Sequence, residues 1–274
     1  MRQLIDFNSH YFVSLTESLD NYRRLLAAPE LKRLVISTVN LKLDYSARFP
    51  FMSIFSTTNE DLARLVEKLD SSKIIPWCFS DPLDPDAPAQ LEYWITQRGM
   101  RGVKLYPPRG FAPSDPRALE VCRTAERLCV PVFFHMGRTA CHPQLNSRFG
   151  QPVDLEAGGL ACPDLKVIIG HAAGPWYMEA AQIAMGFPNF YFDLSTAGTW
   201  DLPFLKWFAD HEYLGAQRLL LGTNNNGQRN LQAAQETLAR LELAGFSEAQ
   251  IQAAAHDNAQ ALLDSLIPNN AISS

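Results

Sequence analysis

The chain alternates short apolar segments with longer segments in which apolar residues recur at helical spacing. Eight apolar segments occur along it: QLIDF, RLVIS, KIIPWCF, GVKLY, VPVFFH, LKVIIGH, FYFDLS and RLLLGT. Helices are predicted between them at residues 59–69, 87–97, 115–128, 152–161, 177–185, 202–210 and 231–243, with Asn59, Ser114 and Asp154 as candidate N-caps. This alternation indicates strand–helix units around a parallel sheet rather than a sandwich or a helical bundle.

The number of strand–helix units selects between the two common parallel architectures. Eight units in about 250 residues are typical of a closed barrel, whereas doubly wound sheets usually need only five or six strands. We therefore predict an α/β fold, a (β/α)8 TIM-type barrel, as a single domain over residues 1–267. Ser247 and Gln250 have capping-box spacing and predict an extra C-terminal helix outside the barrel, followed by a frayed tail at 268–274.

Composition and charge narrow the class of ligand. The chain has 274 residues, of which 47% are hydrophobic, and 24 Lys and Arg against 29 Asp and Glu give a net charge of -5. No run of like charges suggests nucleic acid or anionic lipid, so a small-molecule substrate is the expected partner. The start, MRQLIDFNSHYF, lacks the apolar region of a signal peptide, and we expect a cytoplasmic protein. A homodimer is left open.

Cysteine usage argues against two kinds of site. The five cysteines are Cys78, Cys122, Cys129, Cys141 and Cys162. They are odd in number and contain no C-x-x-C pair, which disfavours both a disulfide framework and a thiolate zinc site. Cys141 stands beside His142, but adjacent residues do not by default share a site, so we expect reduced thiols without a catalytic role.

Polar residues collect where the predicted strands end. They are Asp6, Asn8, His10, Lys104, His135, His171, Asp193, Ser195 and Asn224. A single histidine at a strand end is most often an ordinary hydrogen-bonded residue. Three histidines after three different strands are harder to explain in this way, because active sites of such barrels lie at the C-terminal ends of the strands. We therefore expect His10, His135 and His171 to share one site.

Two further residue types could shape that site. Lys104, in RGVKLYPP, would place a cation at the barrel mouth and attract a carboxylate, and Arg138 could do the same. Trp176 and Trp200 lie in loops after predicted strands. They could line a pocket for a flat substrate or simply pack their loops, and the sequence does not separate these two roles.

Taken together, the motifs resemble those of a known family. LIDFNSH, RGVKLYPP, VPVFFHMG, CPDLKVIIGHAAGPW, PNFYFDLSTAG, RLLLGTNNN and HDNAQALL look like the successive motifs of the amidohydrolase-related family, a branch of the amidohydrolase superfamily. Order and spacing match over nearly the whole chain. The resemblance implies a (β/α)8 barrel and an activity among hydrolases, lactonases, hydratases and non-oxidative decarboxylases of small carboxylated or aromatic compounds.

The resemblance also implies a mononuclear divalent metal, with ligands at the positions of Asn8, His10, His135 and Asn224, and with His171 either in acid–base work or as a further ligand. Two of these positions carry amides. An amide oxygen is a weak partner for zinc, and an amide takes no proton from water near neutral pH. We therefore predict that a divalent (zinc) site formed by the three histidines is weakened or absent. Asn8 and Asn224 would then bind each other or a substrate oxygen.

Three functions remain open on these residues. The first is hydrolysis of a small carboxylated, lactone or ester substrate, with Lys104 or Arg138 binding the carboxylate and His171 as acid or base. Asn8 and Asn224 would polarise the carbonyl. The second is non-oxidative decarboxylation. The third is a catalytically inactive barrel that binds a small molecule, for which the consecutive amides 224–226 are well suited.

Overall fold

The computed structural model describes residues 2–13, 19–43, 55–139, 142–196 and 202–266. Eight parallel strands follow one another around a barrel in the order β1 to β8. They are β1 Leu4–His10, β2 Leu31–Ser37, β3 Ile74–Phe79, β4 Val103–Leu105, β5 Val132–Phe134, β6 Val167–Ile169, β7 Phe190–Asp193 and β8 Leu219–Leu220. The predicted (β/α)8 fold is therefore confirmed.

Main-chain hydrogen bonds between β1 and the segment directly after β8 nearly close the barrel. The Phe7 N–H donates to the Leu221 carbonyl at 2.7 Å, and the His10 N–H donates to the Asn225 carbonyl at 2.8 Å. The Asn224 N–H donates to the Asn8 carbonyl at 2.7 Å. The loop after β8 is thus held against β1, the strand that carries the unusual D-x-N-x-H motif.

The helices surround the strands. They are α1 Leu19–Ala27, α2 Asn59–Leu69, α3 Ala87–Thr96, α4 Pro116–Arg127, α5 Leu155–Ala161, α6 Tyr177–Met185, α7 Leu202–Asp210, α8 Asn230–Leu243, α9 Glu248–Gln252 and α10 Asn258–Asp264. All seven helices predicted between strands are present, whereas α1 was missed. Within the described ranges, no helix is long and apolar enough to cross a membrane.

Two of the three predicted N-cap residues were wrong by one position. The third stands at the N-cap position but makes no capping hydrogen bond. Thr58 rather than Asn59 caps α2, and Asp115 rather than Ser114 caps α4. The Ser114 hydroxyl instead donates to Asp154 at 2.6 Å, and the Asp154 side chain makes no capping bond to α5. Several neighbouring residues were chemically able to cap each helix, and only the backbone geometry selects one.

The predicted extra C-terminal helix is present. It runs through α9, a π-helical segment at Ala253–Asp257 and α10. Ala259 and Leu262 pack against the apolar side chains inside the barrel. The Asn258 amide donates to the carbonyls of Ala216 and Leu219, both at 2.8 Å, where β8 begins. The helix therefore packs outside the barrel, as predicted, and covers the N-terminal ends of the strands, a position that the sequence did not indicate.

A β-bulge in β1 decides which of its residues face inward. The register of β1 against β2 shifts between Asp6 and Ser9. Ile5 before the shift and Phe7 within it contribute to the inner apolar cluster, and the next residue, Asn8, places its side chain in the polar network at the barrel mouth. A bulge inserts one residue and re-aims the side chains that follow it. This local feature brings the D-x-N-x-H motif to the barrel mouth.

Some predictions fall outside the described residues. These are Cys141, Trp200 and the tail at 268–274, and the domain boundary at residue 267 stays a prediction. The four cysteines that the structure describes, Cys78, Cys122, Cys129 and Cys162, are free thiols.

Candidate active site

Polar side chains from five strands meet at the C-terminal end of the barrel. Asn8 and His10 come from β1, Lys104 from β4, His135 and His171 follow β5 and β6, and Asp193 ends β7 with Ser195 two residues beyond. Hydrogen bonds connect all seven side chains into one network. The structure therefore brings together the three histidines that the sequence predicts to share a site.

Lys104 connects the two β1 side chains of the network, His10 and Asn8. Its side chain is 1% exposed, and its Nζ is 2.7 Å from His10 Nε2 and 3.1 Å from Asn8 Oδ1. The same Nζ is 4.4 Å from the centroid of the Phe133 ring, a favourable cation–π distance. Burial lowers the pKa of Lys104 to about 7, and the nearby Asp193 opposes this shift. The amino group therefore has partners on three sides.

Asp193 is the anion of the network and is completely buried. Its Oδ2 accepts from Asn8 Nδ2 at 2.9 Å and from the His171 backbone N–H at 3.0 Å, and its Oδ1 accepts from the Ser195 N–H at 3.1 Å. The Ser195 hydroxyl also donates to it. Since every partner is a donor, the environment suits an ionised carboxylate, which can only accept.

The hydrogen bonds fix the ring tautomers of two histidines. The single Ser195 hydroxyl proton goes to Asp193, so Ser195 Oγ must accept from His171 Nδ1, 2.7 Å away. In a neutral His171 ring, Nε2 is then an acceptor, and it faces His135 Nδ1 at 2.9 Å. His135 Nδ1 must therefore donate. The other nitrogen of that ring, His135 Nε2, carries a lone pair.

The three imidazoles are held in the neutral form. Burial lowers the pKa of His10, His135 and His171, because a charged ring loses its hydration there. The positive charge of Lys104 lowers all three values further, whereas Asp193 opposes the shift at His171. Near neutral pH these rings can accept protons rather than supply them.

Two ring nitrogens in the site are buried without a hydrogen-bond partner in the described part of the chain: His10 Nδ1 and His135 Nε2. Each ring is held by stacking, His10 on Phe12 at 5.2 Å and His135 on Tyr106 at 4.0 Å between centroids. Buried polar atoms are nearly always paired in native proteins, and an unpaired one costs about 1–3 kcal/mol. Such atoms are candidates for contact with a ligand.

The backbone is strained where His171 is presented. His171, Ala172 and Ala173 have φ values of 52°, 43° and 60°, in the left-handed region that residues with a Cβ rarely adopt. Each such residue costs about 1 kcal/mol or more, and consecutive ones are rare. The turn directs the His171 N–H to Asp193 while its ring reaches both Ser195 and His135. The strain is therefore tied to the position of this ring.

Three sequence-predicted residues lie at the rim rather than in the network. Asn224 and Arg138 are exposed, and Trp176 is half-buried at the start of α6. Asn224 has a φ of 56°, and its backbone N–H donates to the Asn8 carbonyl. The expected contact between the Asn8 and Asn224 side chains is absent among the described residues, because Asn8 uses its amide on Asp193, Ser195 and Lys104.

Asp6 belongs to a separate, supporting cluster. Its carboxylate accepts from the Thr223 hydroxyl and the Asn230 amide, both at 2.7 Å, and thereby ties β1 to the segment after β8. Burial raises the pKa of Asp6 to about 7, and these donors oppose the shift. Asp6 therefore holds β1 against the segment after β8 at the barrel mouth, but it is not part of the hydrogen-bonded network of the site.

Asp193 and Ser195 are the residues that sequence reasoning undervalued. Both were noted at the end of the seventh strand but were given no role. The signal was available, because a buried carboxylate at that strand end needs several donors and the strand-end Asn, His and Ser residues could supply them. What could not be read from the sequence is that one carboxylate binds both Asn8 and the His171 backbone.

Gly222 is required by the position of Asp193. A methyl group at Gly222 would overlap Asp193 Oδ1 and press on the Asn8 side chain. We expect Gly222→Ala to lower the free energy of unfolding by about 1–3 kcal/mol, as other overpacked sites do. Urea denaturation measures this change. Gly186→Ala is the matched control, since its nearest neighbour would be the Ile183 carbonyl at 3.5 Å. Equal losses in both variants would contradict the close approach.

A divalent metal does not fit the residues as they stand. Of the atoms that the resemblance assigns to it, Asn8 Oδ1 and His10 Nε2 both contact Lys104 Nζ, and Asn224 is exposed at the rim. His135 keeps one available nitrogen, because its Nδ1 faces His171. The described residues contain no group of three or more His, Cys, Asp or Glu arranged to hold a metal.

Solved structures with this fold cover nearly the whole chain. An uncharacterised TIM-barrel protein from Bordetella bronchiseptica has 20% identity and a TM-score of 0.72, covering 96% of this chain and 99% of its own. A 2,6-dihydroxybenzoate decarboxylase in complex with 2,6-dihydroxybenzoate has 17% identity and a TM-score of 0.68, with 96% and 100% covered. A 5-carboxyvanillate decarboxylase from Novosphingobium aromaticivorans, in complex with manganese, has 12% identity and a TM-score of 0.64, with 96% of each chain covered.

The sequence comparisons add the family. No curated protein matches the sequence at a significant level. The family model described as Amidohydrolase (Amidohydro_2) matches residues 50–264, which is most of the chain.

 The matched range contains strands β3 to β8 and the site residues Lys104, His135, His171 and Asp193. Asn8 and His10, on β1, precede it. The chain therefore belongs to the amidohydrolase family.

Proposed function

We propose that the protein is an enzyme that hydrolyses a small carboxylated substrate with a lactone or ester bond, and that His135 is its general base. The observation that carries this proposal is His135 Nε2, a buried lone pair without a partner among the described residues. It lies at the end of a hydrogen-bonded chain that begins at a buried carboxylate. A base held by a second group, which is itself oriented by a third, is a common arrangement in hydrolytic sites.

The ring tautomers of His135 and His171 determine the proposed proton path. His135 Nε2 takes a proton from a water molecule as the water oxygen attacks the acyl carbon, and the ring becomes an imidazolium. The same nitrogen then returns the proton to the leaving oxygen, so that the products are an acid and an alcohol. The His171 acceptor nitrogen and, through Ser195, the Asp193 carboxylate stabilise the transient positive charge on His135.

In this proposal, residues at the rim of the barrel mouth bind the substrate. Arg138 is exposed on the loop after β5 and can bind a carboxylate, whereas the Lys104 amino group is already engaged by Asn8 and His10. Asn224 is exposed after β8, and its side-chain amide can donate to a substrate carbonyl. Trp176, half-buried at the start of α6, can border the site. The partner is therefore a small, negatively charged molecule.

Non-oxidative decarboxylation is the second candidate. It is supported by the two solved decarboxylases named above, which share the fold at low sequence identity. This reaction must deliver a proton to the carbon atom that loses carbon dioxide. The three imidazoles have lowered pKa values and are poor proton donors near neutral pH. In this reaction the proton would come instead from Lys104, whose pKa burial lowers to about 7.

A substrate panel separates the two reactions. The purified protein is offered lactones and esters that carry a second carboxylate, together with 2,6-dihydroxybenzoate and 5-carboxyvanillate. We expect acid release from a lactone or ester and no carbon dioxide from the aromatic acids. Carbon dioxide release alone would replace hydrolysis with decarboxylation. A panel without turnover, combined with saturable binding of a panel member, would make the protein an inactive binding barrel.

The pH profile of the hydrolysis is expected to be flat through pH 6.5. His135 must be neutral to accept a proton, and its pKa lies well below 6.5 because of burial and the neighbouring positive charge. The value of kcat/KM should therefore fall only at lower pH, as the pH drops through this lowered pKa. Steady-state rates between pH 4.5 and about 8 measure the profile. An acid limb centred at or above pH 6.5 would contradict His135 as the base.

A further inference from the structure

Lys104 lies where the family resemblance implies a metal ion. Its Nζ is 2.7 Å from His10 Nε2 and 3.1 Å from Asn8 Oδ1, the two β1 side chains at the implied ligand positions. The side chain is almost completely buried in the middle of β4, so it is not a mobile surface residue. A positively charged group of the chain itself can thus stand between the two side chains that would hold an external cation.

We propose that the Lys104 amino group takes the place of the divalent cation in this protein, so that the barrel mouth works without taking up a metal. The proposal concerns occupancy of the site and does not depend on which reaction the protein catalyses. It also explains why an amide stands at position 8.

Asn8 makes three contacts that a histidine could not make together. Its Oδ1 accepts from Lys104, and its Nδ2 donates to Asp193 at 2.9 Å and to Ser195 at 3.1 Å. An amide has one acceptor oxygen and two N–H donors, whereas a neutral imidazole has one acceptor and one donor. Asn8 therefore links the buried cation to the buried anion. The same side chain is a weak ligand for zinc.

The ring nitrogens leave too few donors for a metal. His10 Nε2 faces Lys104, His171 Nε2 faces His135, and His171 Nδ1 faces Ser195. Within the described ranges only His10 Nδ1 and His135 Nε2 remain as unpaired nitrogens in the network. Catalytic zinc sites usually need three protein ligands, and a nearby ammonium group would repel a dication as well.

Metal content in matched variants tests the proposal. Untagged protein is dialysed against Mn²⁺ and Zn²⁺, freed of loose ions and measured by elemental analysis. Three forms are compared: the natural chain, Asn8→His/Asn224→Asp, and the same pair combined with Lys104→Met. We expect less than about 0.1 equivalent in the first two and more than about 0.5 in the third, because only the third both restores ligands and removes the amino group.

Two outcomes would overturn the proposal: the natural chain holding close to one equivalent, or the two-substitution variant holding as much metal as the three-substitution variant. Lys73→Met is the control for loss of a partly buried lysine, because Lys73 Nζ donates to the Leu26 and Ala28 carbonyls away from the site. It should leave metal content unchanged.

A second measurement tests the proposal on the natural chain alone, in case the three-substitution variant does not fold. The unfolding temperature of the natural chain is followed as Mn²⁺ is added. A bound ion at a hundredfold excess over its Kd would raise that temperature by about 5 °C or more in a protein of this size. We expect no saturable rise, and a saturable rise that His135→Gln abolishes would overturn the proposal.

Discussion

Replacing Asp193 with Asn is expected to lower the free energy of unfolding by about 3–5 kcal/mol near neutral pH, the cost of leaving two or more buried donors unpaired. The carboxylate is fully buried and accepts from Asn8, Ser195 and the His171 backbone. An Asn side chain would turn an N–H₂ group toward some of these donors and leave them unpaired. It would also leave Lys104 without a counter-charge.

Urea denaturation of the Asp193→Asn variant measures this loss, with Asp210→Asn as the matched control. Asp210 is exposed and pairs with Lys206, and surface pairs of this kind contribute about 0–1 kcal/mol. Adding Lys104→Met to Asp193→Asn should recover part of the stability, because the unpaired cation is then gone. A loss in Asp193→Asn as small as in Asp210→Asn would show that the network contributes little to stability.

Replacing His135 with Gln is expected to lower kcat/KM for hydrolysis by about a hundredfold to ten-thousandfold, the usual contribution of a general base. Gln can accept a hydrogen bond but cannot take the proton of the attacking water. The fold should persist, because His135 contacts the network through a single hydrogen bond and stacks on Tyr106. Steady-state kinetics and circular dichroism of the same preparation separate the two effects.

His211→Gln is the control for His135→Gln. His211 follows α7 and contacts the surface residues Trp207 and Tyr213, so its replacement should leave kcat/KM unchanged. If His135→Gln kept full activity while His171→Gln lost it, the base would be His171, as the sequence alone suggested. If neither variant lost activity, the hydrogen-bonded chain from His135 to Asp193 would have no part in catalysis.

The amide in the D-x-N-x-H motif of β1 now has a structural reason. Position 8 lies between a buried lysine and a buried aspartate and binds both. The family resemblance implied a metal ligand at this position, and the sequence offered a second amide, Asn224, or a substrate oxygen as the partner of Asn8. Asn224 is instead exposed at the rim, and only its backbone N–H reaches Asn8. The partners of Asn8 come from β4 and β7, which no local pattern connects to β1.

Eight apolar segments with helices between them were enough to predict the barrel, because alternating hydrophobic periodicity reflects which face of each element is buried. The convergence of His10, His135 and His171 followed from that fold, since parallel strands end on one side. The β1 bulge, the engagement of Lys104 and the position of the C-terminal helix under the barrel did not follow. They depend on register and on contacts between residues far apart in sequence, which become defined only when the strands are placed side by side.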